Sequence, residues 1–245
     1  MRLVFIGLAL AATVGLPGFG QQRVSPSDPV PSGRVYAQAL YDSAVVETQH
    51  LYNGPQYFIY ASREKEHQFL GSREWQMGSV RYDGQQFDSI PILFDIALDQ
   101  VVINYVKGFG QVRLQNEKID YFTLPGHRFV RVVAGQDSFP GLRSTGFYDV
   151  VYGGPTRLLV RRIKERQERI EETRVLAEFP YKEFFYVYHQ NSFHIIRSKK
   201  ALLTLLGDQK KALKKFSREN HLKFKKNREA ALLATVAHYD QLTRL

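Results

Sequence analysis

Residues 78–88 alternate apolar and polar positions around the dipeptide Asp83-Gly84. A two-residue turn there pairs Tyr82 with Gln85 and Val80 with Phe87, so apolar side chains face each other across a hairpin. Ile90, Ile92, Phe94 and Ile96 carry the period of two onward along one face. A bend over 97–100 then leads into a second apolar run at 101–106. Further β-branched and aromatic runs at 111–115, 118–124, 128–134 and 146–152 predict short strands, and Asn53-Gly54, Gly108 and Gly110 supply turn signals. Residues 184–188 and 193–196 predict a last hairpin around 190–192. Segment 158–176 fits two patterns: Leu159, Ile163 and Ile170 make a helical stripe, but a solvated, charged strand pair projecting from the sheet is the preferred reading.

After Ser198 the period lengthens to that of a helix. Ser198 is placed to cap a first helix bearing Leu202, Leu203, Leu205 and Leu206, closed by Gly207. Asp208 is expected to cap a second helix through Glu219, with Leu213 and Phe216 inward. Asn227 is expected to cap a third, where Leu232, Val236 and Tyr239 recur at i, i+4 and i+7. The predicted fold class is α+β: an antiparallel β meander over 35–197, as a sandwich or partly open barrel, then a short basic three-helix appendage over 198–245.

The first 34 residues read differently. Met1-Arg2 is a positive start, residues 3–14 are uncharged and largely apolar, and Gly18 and Gly20 precede a cut before Gln21. Residues 1–20 therefore read as a secretory signal peptide, too short in its apolar run to span ~30 Å of hydrocarbon. Residues 21–34, with Pro26, Pro29 and Pro31, read as an extended, disordered leader. An exported protein is expected, periplasmic, outer-membrane-associated or secreted, with no transmembrane segment after signal cleavage.

Composition narrows the chemistry. With 245 residues, 44% of them apolar, a packed core is within reach, and zero Cys excludes disulfides, thiolate metal sites and a Cys nucleophile. Charge is lopsided. Residues 197–228 hold twelve Lys and Arg against Asp208 and Glu219, a local excess equal to the whole chain's +10. The candidate binding residues for an anionic partner are Lys199, Lys200, Lys210, Lys211, Lys214, Lys215, Arg218, Lys223, Lys225 and Lys226. An ordinary solvated helix face is the competing explanation. Export and the scarcity of aromatic residues for base stacking argue against nucleic acid. Lipid head groups, lipopolysaccharide or an acidic protein suit the compartment.

Catalytic signatures are absent: no phosphate-binding loop, no Gly-x-Ser-x-Gly and no His-Glu-x-x-His. No cofactor and no metal are called for. Asp95 stands between Phe94 and Ile96, on the face of Leu93, and is the one candidate general base for an alternative, hydrolase-type reading. A structural acceptor is the commoner use of such a carboxylate. Asp83 belongs to its turn, and Asp99 is expected in the bend, accepting backbone N–H bonds. His189 and His194 would oppose each other if the hairpin turned at Asn191-Ser192, but no third ligand is near. His127 carries no assignment, and Trp75 is expected in the core.

Three stretches in order carry a resemblance: Leu51-Tyr-Asn-Gly54 with Tyr57 and Tyr60; Trp75 followed by Gly78-x-Val-x-Tyr-x-Gly-x-x-Phe, Leu93-Phe-Asp95 and Asp99; and Ser198-Lys-Lys-Ala-Leu-Leu with Lys225-Lys226. They resemble a family of uncharacterised exported proteins of Bacteroidota-type bacteria. The resemblance implies export and a β-rich domain with a basic helical end, and brings neither an activity nor catalytic residues.

Overall fold

Asp83 (φ 52°) and Gly84 (φ 78°) form the tight turn that the dipeptide predicts, and they join β2 (Gln76–Tyr82) to β3 (Gln85–Asp95). The register is the expected one, Tyr82 opposite Gln85 and Val80 opposite Phe87. The computed structural model describes residues 50–59, 67–104, 110–171 and 174–243, all inside one compact unit that spans Glu47–Leu245. The predicted signal peptide, the leader and the turn at Gly108 lie outside the described residues.

From β3 the chain bends into β4 (Gln100–Asn104) and β5 (Gln111–Arg113), with β1 (Gln56–Tyr57) along the far side of β5. It then returns to the free side of β2 and continues through β6 (Ile119–Leu124), β7 (His127–Val132), β8 (Gly146–Tyr152), β9 (Leu158–Lys164), β12 (Tyr181–His189) and β13 (Ser192–Ile196). The resulting sheet has 11 strands in the order β1-β5-β4-β3-β2-β6-β7-β8-β9-β12-β13. Every named pairing is antiparallel. Strand is the preferred reading of segment 158–176, and its described residues bear it out at β9, β10 (Gln167–Glu171) and β11 (Arg174–Glu178), of which β10 and β11 pair only with each other, as a separate two-stranded sheet.

The sheet curls into a half-barrel, and four phenylalanines show why. Phe94 on β3 lies 5.0 Å, centroid to centroid, from Phe122 on β6 and 5.0 Å from Phe129 on β7, and Phe147 on β8 is 5.8 Å away. Strands that are not neighbours in the sheet therefore share one core. All four rings are at most 2% exposed, and losing one such ring costs ~3–5 kcal/mol. Ile92, Ile96, Val80 and Tyr82 join them, so the alternation seen in β2 and β3 faces this interior.

Three helices follow: α1 (Lys199–Leu205), α2 (Lys210–Glu219) and α3 (Arg228–Thr243). Leu202, Leu203, Leu206, Leu213, Leu232, Val236 and Tyr239 pack with Leu158, Val160, Phe185, Val187 and Ile196 of the sheet in one cluster. The helical segment thus shares a core with β9, β12 and β13. Ser198 caps α1 as expected, its Oγ accepting from Ala201 N at 3.1 Å. Asp208 does not cap α2. It lies in a 3-10 turn over Gly207–Gln209, and its carboxylate accepts from Tyr239 Oη at 3.0 Å. Gln209 precedes α2 without a side-chain cap. Phe216 is only half-buried, stacked on His238 at 4.0 Å. Trp75 also departs from expectation. It is half-buried at the edge of a satellite cluster formed by Tyr57, Phe69, Leu93 and Val102. No described helix is long and apolar enough to cross a membrane.

Candidate functional site

The spacing of cations on α2 decides what the helical layer presents. Lys210, Lys214 and Arg218 stand at i, i+4 and i+8, which puts them on one stripe of the helix, while Leu213 is fully buried beneath. The 3-10 turn folds α1 back beside that stripe, so Lys199 and Lys200 at the start of α1 face it. These five cations and Leu203 line a groove of about 720 Å³. Among the described residues no carboxylate lines it.

Lys199 differs from the other four. It is half-buried, its Nζ donates to Ser217 Oγ at 2.6 Å, and it lies 5.1 Å from the Phe224 ring centroid. Ser217 is itself buried. One ammonium is therefore held at the base of the groove, and Lys200, Lys210, Lys214 and Arg218 are exposed. The structure splits the sequence candidates in two. Lys211, Lys215, Lys223, Lys225 and Lys226 are exposed but do not line this groove, and Lys215 faces Glu219 at 3.8 Å.

A second polar centre escaped the sequence reading. His127 Nδ1 lies 2.6 Å from Asp149 Oδ2, and Asp149 is 2% exposed. Arg162 meets the same oxygen through Nε at 2.9 Å and Nη2 at 2.7 Å. Its remaining donors reach Glu183 at 2.6 Å, Tyr181 Oη at 3.1 Å and Glu229 at 2.6 Å. Burial alone would lower the Arg162 pKa, but the hydrogen bonds with Tyr181 and Asp149 and the Asp149 charge outweigh it, and the pKa is raised. Tyr181 is exposed as a whole, and its hydroxyl lies between Arg162 Nη1 at 3.1 Å and Glu183 Oε1 at 2.7 Å. Burial there and the hydrogen bond to Glu183 push the phenol above its usual range, so it stays protonated. His127, Arg162, Lys164 and Tyr181 border a cleft of about 530 Å³ together with Leu70, Gly71, Gln76 and Pro125. The pair Arg161-Arg162 inside the otherwise apolar run 158–163 was the available signal, but the partners of Arg162 come from separate strands and a helix.

Asp95 is fully buried and serves its own bend. Oδ1 accepts from Ala97 N and Leu98 N, both at 2.9 Å, and Oδ2 accepts from Tyr57 Oη at 2.7 Å. Tyr57 Oη in turn accepts from Gln68 Nε2 at 3.0 Å. This is the structural-acceptor use of the carboxylate. Asp99 accepts from a backbone N–H, as expected, but from Phe147 on β8 at 3.2 Å and from Arg161 at 2.7 Å.

The hairpin between β12 and β13 turns at Gln190 and Asn191, both in the left-handed region (φ 49° and 59°), instead of at Asn191-Ser192. Asn tolerates that conformation better than most residues, and moving the turn by one residue shifts the cross-strand pairing by two. His194 consequently opposes Val187, and its Nε2 lies 3.2 Å from the His189 carbonyl oxygen. His189 instead packs edge-on against Tyr239. Among the described residues no group of three His, Cys, Asp or Glu is placed to hold a metal.

No family model, curated protein or solved structure matches this chain.

Proposed function

We propose that this is an exported, envelope-associated protein with a binding or assembly role, whose helical layer contacts an anionic partner. The observation that carries this reading is the groove between α1 and α2, where five of the ten candidate cations converge without a carboxylate among its described lining. Like charges held together in one concave wall repel, and an anion relieves that repulsion. The sheet is the scaffold: outside residues 197–228 the positive and negative charges cancel in number, so the net charge of the chain sits on the helical segment.

The partner is an anionic surface of the envelope, lipid head groups or lipopolysaccharide, with an acidic protein as the competing outcome. The N-terminal signal-like segment and the resemblance to exported proteins support the compartment. Co-sedimentation with anionic vesicles tests the reading, comparing the wild type with Lys210, Lys211, Lys214 and Lys215→Gln. Gln is a good helix former, and Leu213 stays buried, so folding should survive. Each cation near an anionic membrane contributes ~1 kcal/mol, so the quadruple variant should bind at least about a hundredfold more weakly. Equal binding by the two proteins would overturn the reading.

A further inference from the structure

We infer that the α1–α2 groove is a discrete site for the phosphate head group of an anionic lipid, with Lys199 as its fixed cation; this rests on the anionic-partner reading above. Four observations bear on it. The lining offers Lys199, Lys200, Lys210, Lys214 and Arg218 to a ligand and, among the described residues, no negative group. Lys199 is ordered before any ligand arrives, by Ser217 at 2.6 Å and by the Phe224 ring, so little rotamer freedom remains to be lost on binding. Arg218 adds a planar fork of donors suited to two oxygens of one group. The aliphatic stems of the cations and the edge of Leu203, itself 5% exposed, line the rest of the groove, and about 720 Å³ is many times what a bare phosphate fills.

The charge count selects the chemistry. A single carboxylate brings one negative charge and two acceptor oxygens to five cations. A phosphomonoester brings about −1.5 to −2 charges and three acceptor oxygens in one compact group. The room left along the cation stems suits the first carbons of a hydrocarbon chain, which favours a lipid phosphate over a free one.

The test compares two variants of equal net charge. Lys200, Lys210 and Lys214→Gln removes three groove cations; Lys211, Lys223 and Lys226→Gln removes three exposed cations outside it. Probes are inorganic pyrophosphate, vesicles containing phosphatidic acid, and a polyglutamate peptide. If the ligand sits in the groove, the groove variant should lose about a hundredfold in affinity for the phosphatidic acid vesicles, and the outside variant, whose cations do not line it, only a few-fold. Lys200, Lys210 and Lys214→Arg, which keeps the charge, should restore binding and guards against a folding defect. Phosphatidic acid binding much tighter than pyrophosphate binding supports a lipid source; the reverse overturns the lipid assignment. Equal losses in both variants would mean a diffuse field: the groove proposal fails and the anionic-partner reading survives. Stronger binding of polyglutamate than of either phosphate probe overturns the proposal in favour of an acidic peptide. No binding to any anion at low salt overturns both.

Discussion

Arg161 and Asp99, 62 residues apart in the chain, meet at 2.7 Å where the bend after β3 reaches across to β8 and β9. The same bend accepts a backbone bond at its other end, Lys164 N to Ile96 O at 3.1 Å. β3 and β9 are not neighbours in the sheet, so these contacts pin the curl that the phenylalanine core requires. Arg162, the next residue, points the opposite way and organises the Asp149 network, as the two-residue period of a strand dictates. Two adjacent arginines thus fasten two faces of one strand.

Removing the Asp99 carboxylate should loosen the curl. Asp99→Asn keeps a residue tolerant of its φ of 57° and loses only the charge, so a stability loss of about 1–3 kcal/mol is expected in urea titration. Asp99→Ala should cost more, because a left-handed Ala is strained as well. Gly146 explains the tolerance of the site for an Arg. At φ 145°, any Cβ there would collide with the Asp99 carboxylate and the Arg161 guanidinium. Gly146→Ala should therefore destabilise as much as Asp99→Ala, and a neutral result would contradict the closure.

Arg162→Met should be among the most damaging single changes. It takes the guanidinium from Asp149, 2% exposed, and leaves it His127 and the Arg128 N–H; breaking such a buried pair typically costs 3–5 kcal/mol, so a loss of about that size is expected in chemical denaturation. Adding Asp149→Leu to Arg162→Met should recover a substantial part. A double variant no better than the single one would show that the stranded Asp149 charge is not the main cause of the loss.

Alkaline stability should depend on Tyr239. Burial, then the hydrogen bond and charge of Asp208, push its phenol up to about 12. The unfolded chain releases that proton near pH 10, and the folded one holds it longer. The stabilisation is therefore complete below pH ~10 and is lost as pH rises through about 12. Tyr239→Phe should flatten the fall in stability between those limits, measured by denaturant midpoints; an unchanged slope would contradict the assignment.

Export is tested by the mature N-terminus. Protein recovered from the cell envelope or medium should begin at Gln21, as the Gly18 and Gly20 pattern predicts. Edman or mass-spectrometric reading of an intact Met1 in exported material would contradict the signal-peptide assignment.

What the chain discloses by itself follows sequence distance. Tyr82 opposite Gln85 was legible because a two-residue turn fixes both the hairpin and its register. Ser198 and the Leu202–Leu206 leucines were legible because a cap and a helical period lie within one turn of each other. The stripe of Lys210, Lys214 and Arg218 was present in the spacing, yet its partnership with Lys199 and Lys200 depends on how a 3-10 turn folds α1 back. His127, Asp149, Arg162 and Glu229 carry no local pattern, since each contact spans more than ten residues. The hairpin at Gln190-Asn191 was misplaced by one residue because the neighbouring dipeptides offer similar turn chemistry.

Anion binding driven by the charge of the helical face should respond to salt, and a titration reads that response. Affinity of the full protein for anionic vesicles would be measured from low ionic strength, where the screening length is ~30 Å at 0.01 M, to 1 M, where it is ~3 Å. Binding should weaken steeply and continuously with salt, and neutral vesicles should not bind at any salt. Salt-independent binding, or equal affinity for neutral and anionic vesicles, would contradict it.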